Sequence, residues 1–159
     1  MQTNFERLIQ LAEETFSTRR DPSQITVNEA VMEQLRRIHP ASLSEETNSE
    51  GPVAWMLVFP TTNDLMKLFV KREISELALL DRTPVDREYS AIYLCSALVL
   101  EESRRKGIAR KLMCEAISSI ARDHPIQSLF SWPFSEEGSM LANSVARTIG
   151  LPLIERTSQ

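Results

Sequence analysis

The sequence is poor in the residues that build covalent or metal-bound sites. It has two cysteines and two histidines in 159 residues. Cys95 falls inside an apolar run and Cys114 on the helical pattern after it. Both read as buried thiols rather than a disulfide framework. No set of His, Cys and carboxylate residues has metal-ligand spacing, so no metal is expected. His39 and His124 each precede a proline at the end of a helical pattern. A cationic imidazole suits a helix C-terminus, so both read as structural. No run is long and apolar enough to span a membrane. The first residues, MQTNFERLIQ, lack the basic-then-apolar layout of a signal peptide, and a cytoplasmic location is expected. There is no Asn-Gly or Asp-Gly hairpin signal, no internal repeat and no low-complexity tract.

Positive charge is the scarcer sign: 18 Lys and Arg against 22 Asp and Glu leave a net charge of −4. Such a chain repels nucleic acid and anionic membrane, and neither is expected as a partner. The apolar fraction of 42% and charged fraction of 25% are those of an ordinary globular protein. Residues 1–159 suffice for a single domain with one proper core and give little reason to divide.

In chain order, Phe5, Leu8, Ile9, Ala12 and Phe16 share one face of an amphipathic helix. Asp21-Pro22-Ser23 is a turn, and Thr26-x-x-Glu29 has the form of a capping box before a second helix. His39-Pro40 ends that helix. Residues 41–52 are polar, acidic and Ser-rich and read as a mobile loop. Val53 to Phe59 is a central strand, followed by one helix from about Asn63 to Leu80 with Met66, Val70, Ile74 and Leu77 inward. Gln127 to Phe134 and Leu151 to Ile154 read as strands. Between them lies a helix from Gly138 to Ile149, closed by Gly150 in a left-handed cap.

The stretch from Ala91 to Ala121 carries the functional signal. Ala91 to Leu100 is nearly unbroken apolar sequence and reads as a strand buried on both faces. The helix after it repeats Ile108, Leu112, Ala116 and Ile120 on one face. Helix N-termini favour acidic residues. Here Arg104, Arg105, Lys106, Arg110 and Lys111 crowd the start instead. Either these side chains are simply solvated, or an anion binds where backbone N–H groups, helix dipole and basic side chains converge. Because the cluster opposes the net charge, a phosphate-bearing small molecule fits better than a long polyanion.

The segment ALVLEESRRKGIARKLM resembles the acyl-CoA-binding signature of the GNAT superfamily of N-acyltransferases. Arg104, Gly107 and Ala109 meet its core pattern, Val99 matches the usual preceding valine, and Glu102 the usual turn glutamate. Glu101 stands where a proline is common. The resemblance is strongest over 92–154 and weak before it. It implies an α/β (α+β) fold in which helices flank a central, mixed and splayed sheet. The N-terminal strand region is reduced, because a helix follows Val53 to Phe59 where the family has a meander of short strands. It further implies that Arg104, Arg105, Lys106, Gly107, Ile108, Ala109 and Arg110 hold the coenzyme A diphosphate. Leu98, Val99 and Leu100 would offer a backbone edge to the pantetheine. Acetyl-CoA is the implied co-substrate and an amine the acceptor, attacking directly within a ternary complex; a homodimer is compatible with this. The alternative is a non-catalytic GNAT-fold module that binds coenzyme A or a partner.

Catalytic residues are less clear. Acyl transfer needs a deprotonated amine, a stabilised oxyanion and a protonated leaving thiolate. The family's usual tyrosine on the last helix corresponds to Ala146, its asparagine to Ser139 and its post-glycine aromatic to Leu151. Ser139 is a candidate donor, with a helix-start role as the plainer explanation. Tyr93 faces either the acceptor groove or the core. Glu88 is a candidate base, and Glu73, Glu76, Glu136 and Glu137 read as solvated carboxylates. Trp55 and Trp132 read as core residues, and Asn143 as either a pantetheine contact or an exposed side chain.

Overall fold

The computed structural model of the protein describes residues 1–19, 24–25 and 28–157, with the backbone alone for 16–19. In chain order the helices are α1 (Asn4–Arg19), α2 (Glu29–Ile38), α3 (Asn63–Val70), α4 (Glu76–Arg82), α5 (Ile108–Asp123) and α6 (Glu136–Ile149). The strands β1 (Leu43–Asn48), β2 (Gly51–Thr61), β3 (Ala91–Val99), β4 (Ser128–Ser131) and β5 (Leu153–Glu155) form one sheet in the order β1-β2-β3-β4-β5. The first three strands are antiparallel, β4 is parallel to β3, and β5 is parallel to β4. Parallel neighbours need crossovers, which α5 and α6 supply. The expected mixed sheet with flanking helices is what forms.

Side chains of a strand alternate between faces, so the sheet carries a core on each side. Ile92 and Leu129 join Leu8, Leu112, Ile117 and Val145, under α1, α5 and α6. Tyr93 and Phe130 join Leu35, Phe59, Phe69 and Leu79, under α2, α3 and α4. Fully burying one such side chain stabilises by about 1.5–3 kcal/mol, so α5, with five buried residues, is among the firmest elements. Among the described residues no helix is long and apolar enough to cross a membrane.

Several expectations need correction. Residues 41–52 are not a mobile loop. Pro40–Ser42 is a 3-10 turn and Leu43–Asn48 is β1, paired to β2 through a tight turn. Asn48 Oδ1 accepts from Glu50 N at 2.8 Å, and Gly51 takes a φ of 116°. An Asx turn thus does the work of the missing Asn-Gly signal. The helix from Asn63 to Leu80 is two helices. Arg72, at φ 63°, donates to Phe69 O, and Glu73 donates to Leu68 O. This is a Schellman stop, after which Ser75 caps α4 through Ala78 N. The break turns Leu77 outward, 37% exposed. On α1, Leu8 is buried but Phe5 and Ile9 are exposed; Leu11 and Ala12 complete the inward face. The cap of α2 is Asn28, accepting from Val31 N. Thr26, the turn at 21–23 and the Phe16 side chain lie outside the described residues. Trp55 is only half-buried, packing edge-on against Phe5 and donating to Glu45 at 2.8 Å. His39 is buried, with Nδ1 accepting from Ala41 N and Nε2 2.7 Å from Asp123. Since Nδ1 accepts, Nε2 carries the proton, and the ring is neutral rather than cationic.

Candidate functional site

The site begins where two strands part. β3 and β4 pair from Ala91 with Ser128 to Leu94 with Ser131. There β4 ends, and Trp132-Pro133 leads away, the proline having no N–H to continue a ladder. β3 runs on to Val99, held by β2 alone. The β2–β3 register shifts between Leu57 and Val58, leaving Cys95 as an extra residue between Leu94 and Ser96. Such a bulge bends its strand and sharpens the twist. Consequently β3 is buried on both faces only as far as Leu94, and Cys95, Ser96 and Ala97 are half-buried.

Leu100 N donates to Val53 O, so Leu100 and Leu98 point their backbone groups at β2. By alternation Val99 and Ala97 point theirs at the open side. Of the expected edge residues, Val99 therefore offers its main chain, while Leu98 and Leu100 do not. The Val99 carbonyl accepts from Arg104 Nε at 2.9 Å.

The basic turn meets α5 in a conformation that exposes the helix end. Arg105 and Gly107 both have positive φ, 65° and 75°. A Cβ on Gly107 would meet no atom within 4 Å, so the glycine serves backbone freedom. Gly107 caps α5 without a side-chain hydrogen bond, and no acid stands in the first turn. Every other α-helix is capped, by Thr3, Asn28, Thr62, Ser75 or Ser135. At α5 the orphan N–H groups and the positive dipole end thus face solvent. The turn is tied from behind: Arg7 makes a bidentate pair with Glu102 at 2.6 and 2.7 Å. That hydrogen-bonded guanidinium holds the Glu102 carboxyl down at about 2.

The open edge, the turn, α5 and α6 enclose a groove of about 870 Å³, a volume typical of sites for small molecules. It is lined by Leu98, Val99, Arg104, Arg105, Gly107, Ile108, Ala109 and Arg110 from the expected set. Lys106 stays at the exposed turn and Leu100 is buried beside β2, neither lining it. Lys111 pairs with Glu46 at 3.2 Å, away from the groove. Arg105 and Lys106 make no ion pair among the described residues.

The catalytic candidates lie elsewhere. Tyr93 is 1% exposed, stacked on Phe130, and donates to Glu76 at 2.5 Å. Glu76, read as solvated, is instead 1% exposed and also accepts from Ile25 N. Ser139 and Asn143 both donate to Glu155 at 3.1 Å, on a face of α6 that does not line the groove. Glu88 is exposed in the loop before β3, and Ala146 is buried in the core. Cys114 is half-buried, and burial raises its thiol. Sequence patterns had marked Met113 and Leu141 only as inward helix positions and had not singled out Ser131 and Ala142, yet all four line the groove. Small and apolar residues at strand and helix positions read as plain core, and only the parting of β3 from β4 makes them a wall.

No family model and no curated protein matches the sequence. Among solved structures it is similar to Naa20 of Chaetomium thermophilum in complex with a bisubstrate analogue, at 16% identity and a TM-score of 0.49. That match covers 78% of this chain and 59% of the other, so the chain spans less than two thirds of it. It is also similar to a tetramutant of the BH1408 protein from Bacillus halodurans, at 16% identity and a TM-score of 0.47, over 94% of this chain and 90% of that one. From its own strand order, the parting of β3 from β4 and the basic turn before α5, the fold is a mixed, splayed sheet flanked by helices, as the sequence resemblance implies.

Proposed function

We propose that the protein is an acyl-CoA-dependent N-acyltransferase, carrying an acetyl group from acetyl-CoA to an amine. One observation carries this: the uncapped, acid-free start of α5 opens onto the groove that the unpaired edge of β3 borders. The coenzyme diphosphate would sit on the N–H groups of the first turn, with Arg105, Lys106 and Arg110 adding charge. The pantetheine amides would pair with Ala97 and Val99 as an added strand does. Arg104 would then share or surrender the Val99 carbonyl. The amine attacks the thioester directly, without an acyl-enzyme. Action as one domain over 1–159, and in the cytoplasm, goes with this proposal.

A second reading, a coenzyme A-binding module without turnover, is favoured by one observation. Ala146 stands where the family's tyrosine would, and Ser139 and Asn143 are committed to Glu155. Calorimetric titration with acetyl-CoA and free coenzyme A tests the common part. Binding by the native protein and its loss in Gly107→Glu are expected; equal silence from both proteins ends the coenzyme proposal. Release of free thiol across a panel of small amines, above the uncatalysed rate, separates enzyme from module.

A further inference from the structure

We propose that Ser131 donates a hydrogen bond to the sulfur of the bound coenzyme, supplying the leaving-group stabilisation that α6 lacks. The inference rests on the coenzyme reading of the groove. Ser131 ends β4, opposite Leu94 on the last rung before the strands part. It is 4% exposed, it lines the groove, and its hydroxyl has no hydrogen-bond partner among the described residues. A buried polar atom left unpaired in a native fold calls for an explanation. By alternation its side chain shares the α5 and α6 face with Leu129, where Leu94, Met113 and Ala142 form an apolar wall. A lone donor in such surroundings interacts strongly with a charge that appears there.

Position points to the sulfur. From Val99 back to Cys95 the open edge advances four steps of about 3.3 Å. That is comparable to an extended pantetheine arm. A coenzyme anchored at Arg105 to Gly107 therefore brings its thiol end to the apex where Ser131 lies. In the transfer the amine nitrogen attacks the thioester carbonyl carbon, the N–C bond forms and the C–S bond breaks. The electron pair stays on sulfur, and the Ser131 hydroxyl donates to that thiolate. The surplus proton of the ammonium passes to water, and water later protonates the thiolate.

The test uses binding and needs no acceptor. Free coenzyme A, S-methyl-coenzyme A and adenosine 3′,5′-bisphosphate are titrated into the native protein and Ser131→Ala at pH 7 and pH 9. An ordinary thiol ionises near 8.5, so a donor at the sulfur makes native affinity for coenzyme A rise with pH relative to the S-methyl form. At pH 9 the native protein is expected to bind coenzyme A about tenfold more tightly than Ser131→Ala, a hydrogen bond to a charged group being worth at least that. Adenosine 3′,5′-bisphosphate should bind both proteins alike. The same pH dependence in both proteins overturns the Ser131 assignment and leaves the coenzyme reading standing. Loss of adenosine bisphosphate binding in Ser131→Ala also overturns it, by showing a structural role. A native protein that binds none of the three ligands brings down the coenzyme reading itself.

Discussion

Gly107 has two duties that substitution can separate. Its φ of 75° is left-handed, yet a Cβ there would meet open space. Gly107→Ala should therefore cost about 1–2 kcal/mol of stability, the left-handed penalty for an L-residue, while keeping the helix N–H groups. Coenzyme affinity should fall by less than tenfold in Gly107→Ala and vanish in Gly107→Glu, measured by denaturant unfolding beside calorimetry. His39 offers a second separable case, since its neutral ring bridges Ala41 N and Asp123. His39→Phe keeps an aromatic body but leaves the Ala41 N–H unpaired, and should lose about 1–3 kcal/mol in urea unfolding. Gly107 was legible in the sequence because its flanking charges and its signature spacing with Arg104 and Ala109 are written there. His39 was legible only as structural: Ala41 N fixes its tautomer, and the partner of its other nitrogen, Asp123, lies far along the chain. Ser131 was not legible, because a serine in a strand looks ordinary until its partners are counted.

Elements were legible where one local signal dominated. Gly150 closes α6 in the left-handed conformation, as its sequence context indicates, with φ 84°. The stop of α3 was hidden because an arginine, not a glycine, takes the left-handed position. Arg72→Gly should relieve that strain by about 1 kcal/mol and raise the melting temperature by about 2–4 °C. A lower melting temperature would mean the Arg72 side chain contributes more than its backbone costs. The clamp between α1 and the basic turn has its own pH signature. Glu102 sits at about 2 in the folded protein against an ordinary 4.5, chiefly through its hydrogen bond to Arg7. A depressed carboxyl contributes stability that is fully present above its unfolded value and lost as pH falls through the folded one. The turn should therefore loosen between about 4.5 and 2. The check is amide exchange at Arg104 to Gly107 against pH, with Arg7→Ala loose at every pH.

At the scale of the whole molecule, the second half was the legible one. A buried strand, a crossover helix and another strand leave few ways to fold, because parallel neighbours require the crossover. The first half offered no such constraint, and β1 hid in polar sequence because its burial alternates only weakly along Leu43 to Asn48. What joins the halves is β3. Ile92 feeds the core under α5 while Tyr93, the next residue, feeds the core under α3 and α4. Neither core can be lost without stripping apolar cover from a strand the other needs, so the two should unfold together. Trp55 packs against Phe5 near the first core, and Trp132 lies 6.0 Å from Phe69 near the second. The variants Trp55→Phe and Trp132→Phe each leave one tryptophan to report. Their fluorescence transitions in urea, each compared with circular dichroism of the same variant, should coincide, as two-state unfolding requires. On the proposed function, acetyl-CoA at about 100 times its Kd should add about 2.7 kcal/mol to both by mass action. A transition at Trp132 that separated from the circular dichroism signal, with only one phase shifted by the ligand, would show that the sheet does not couple the two cores.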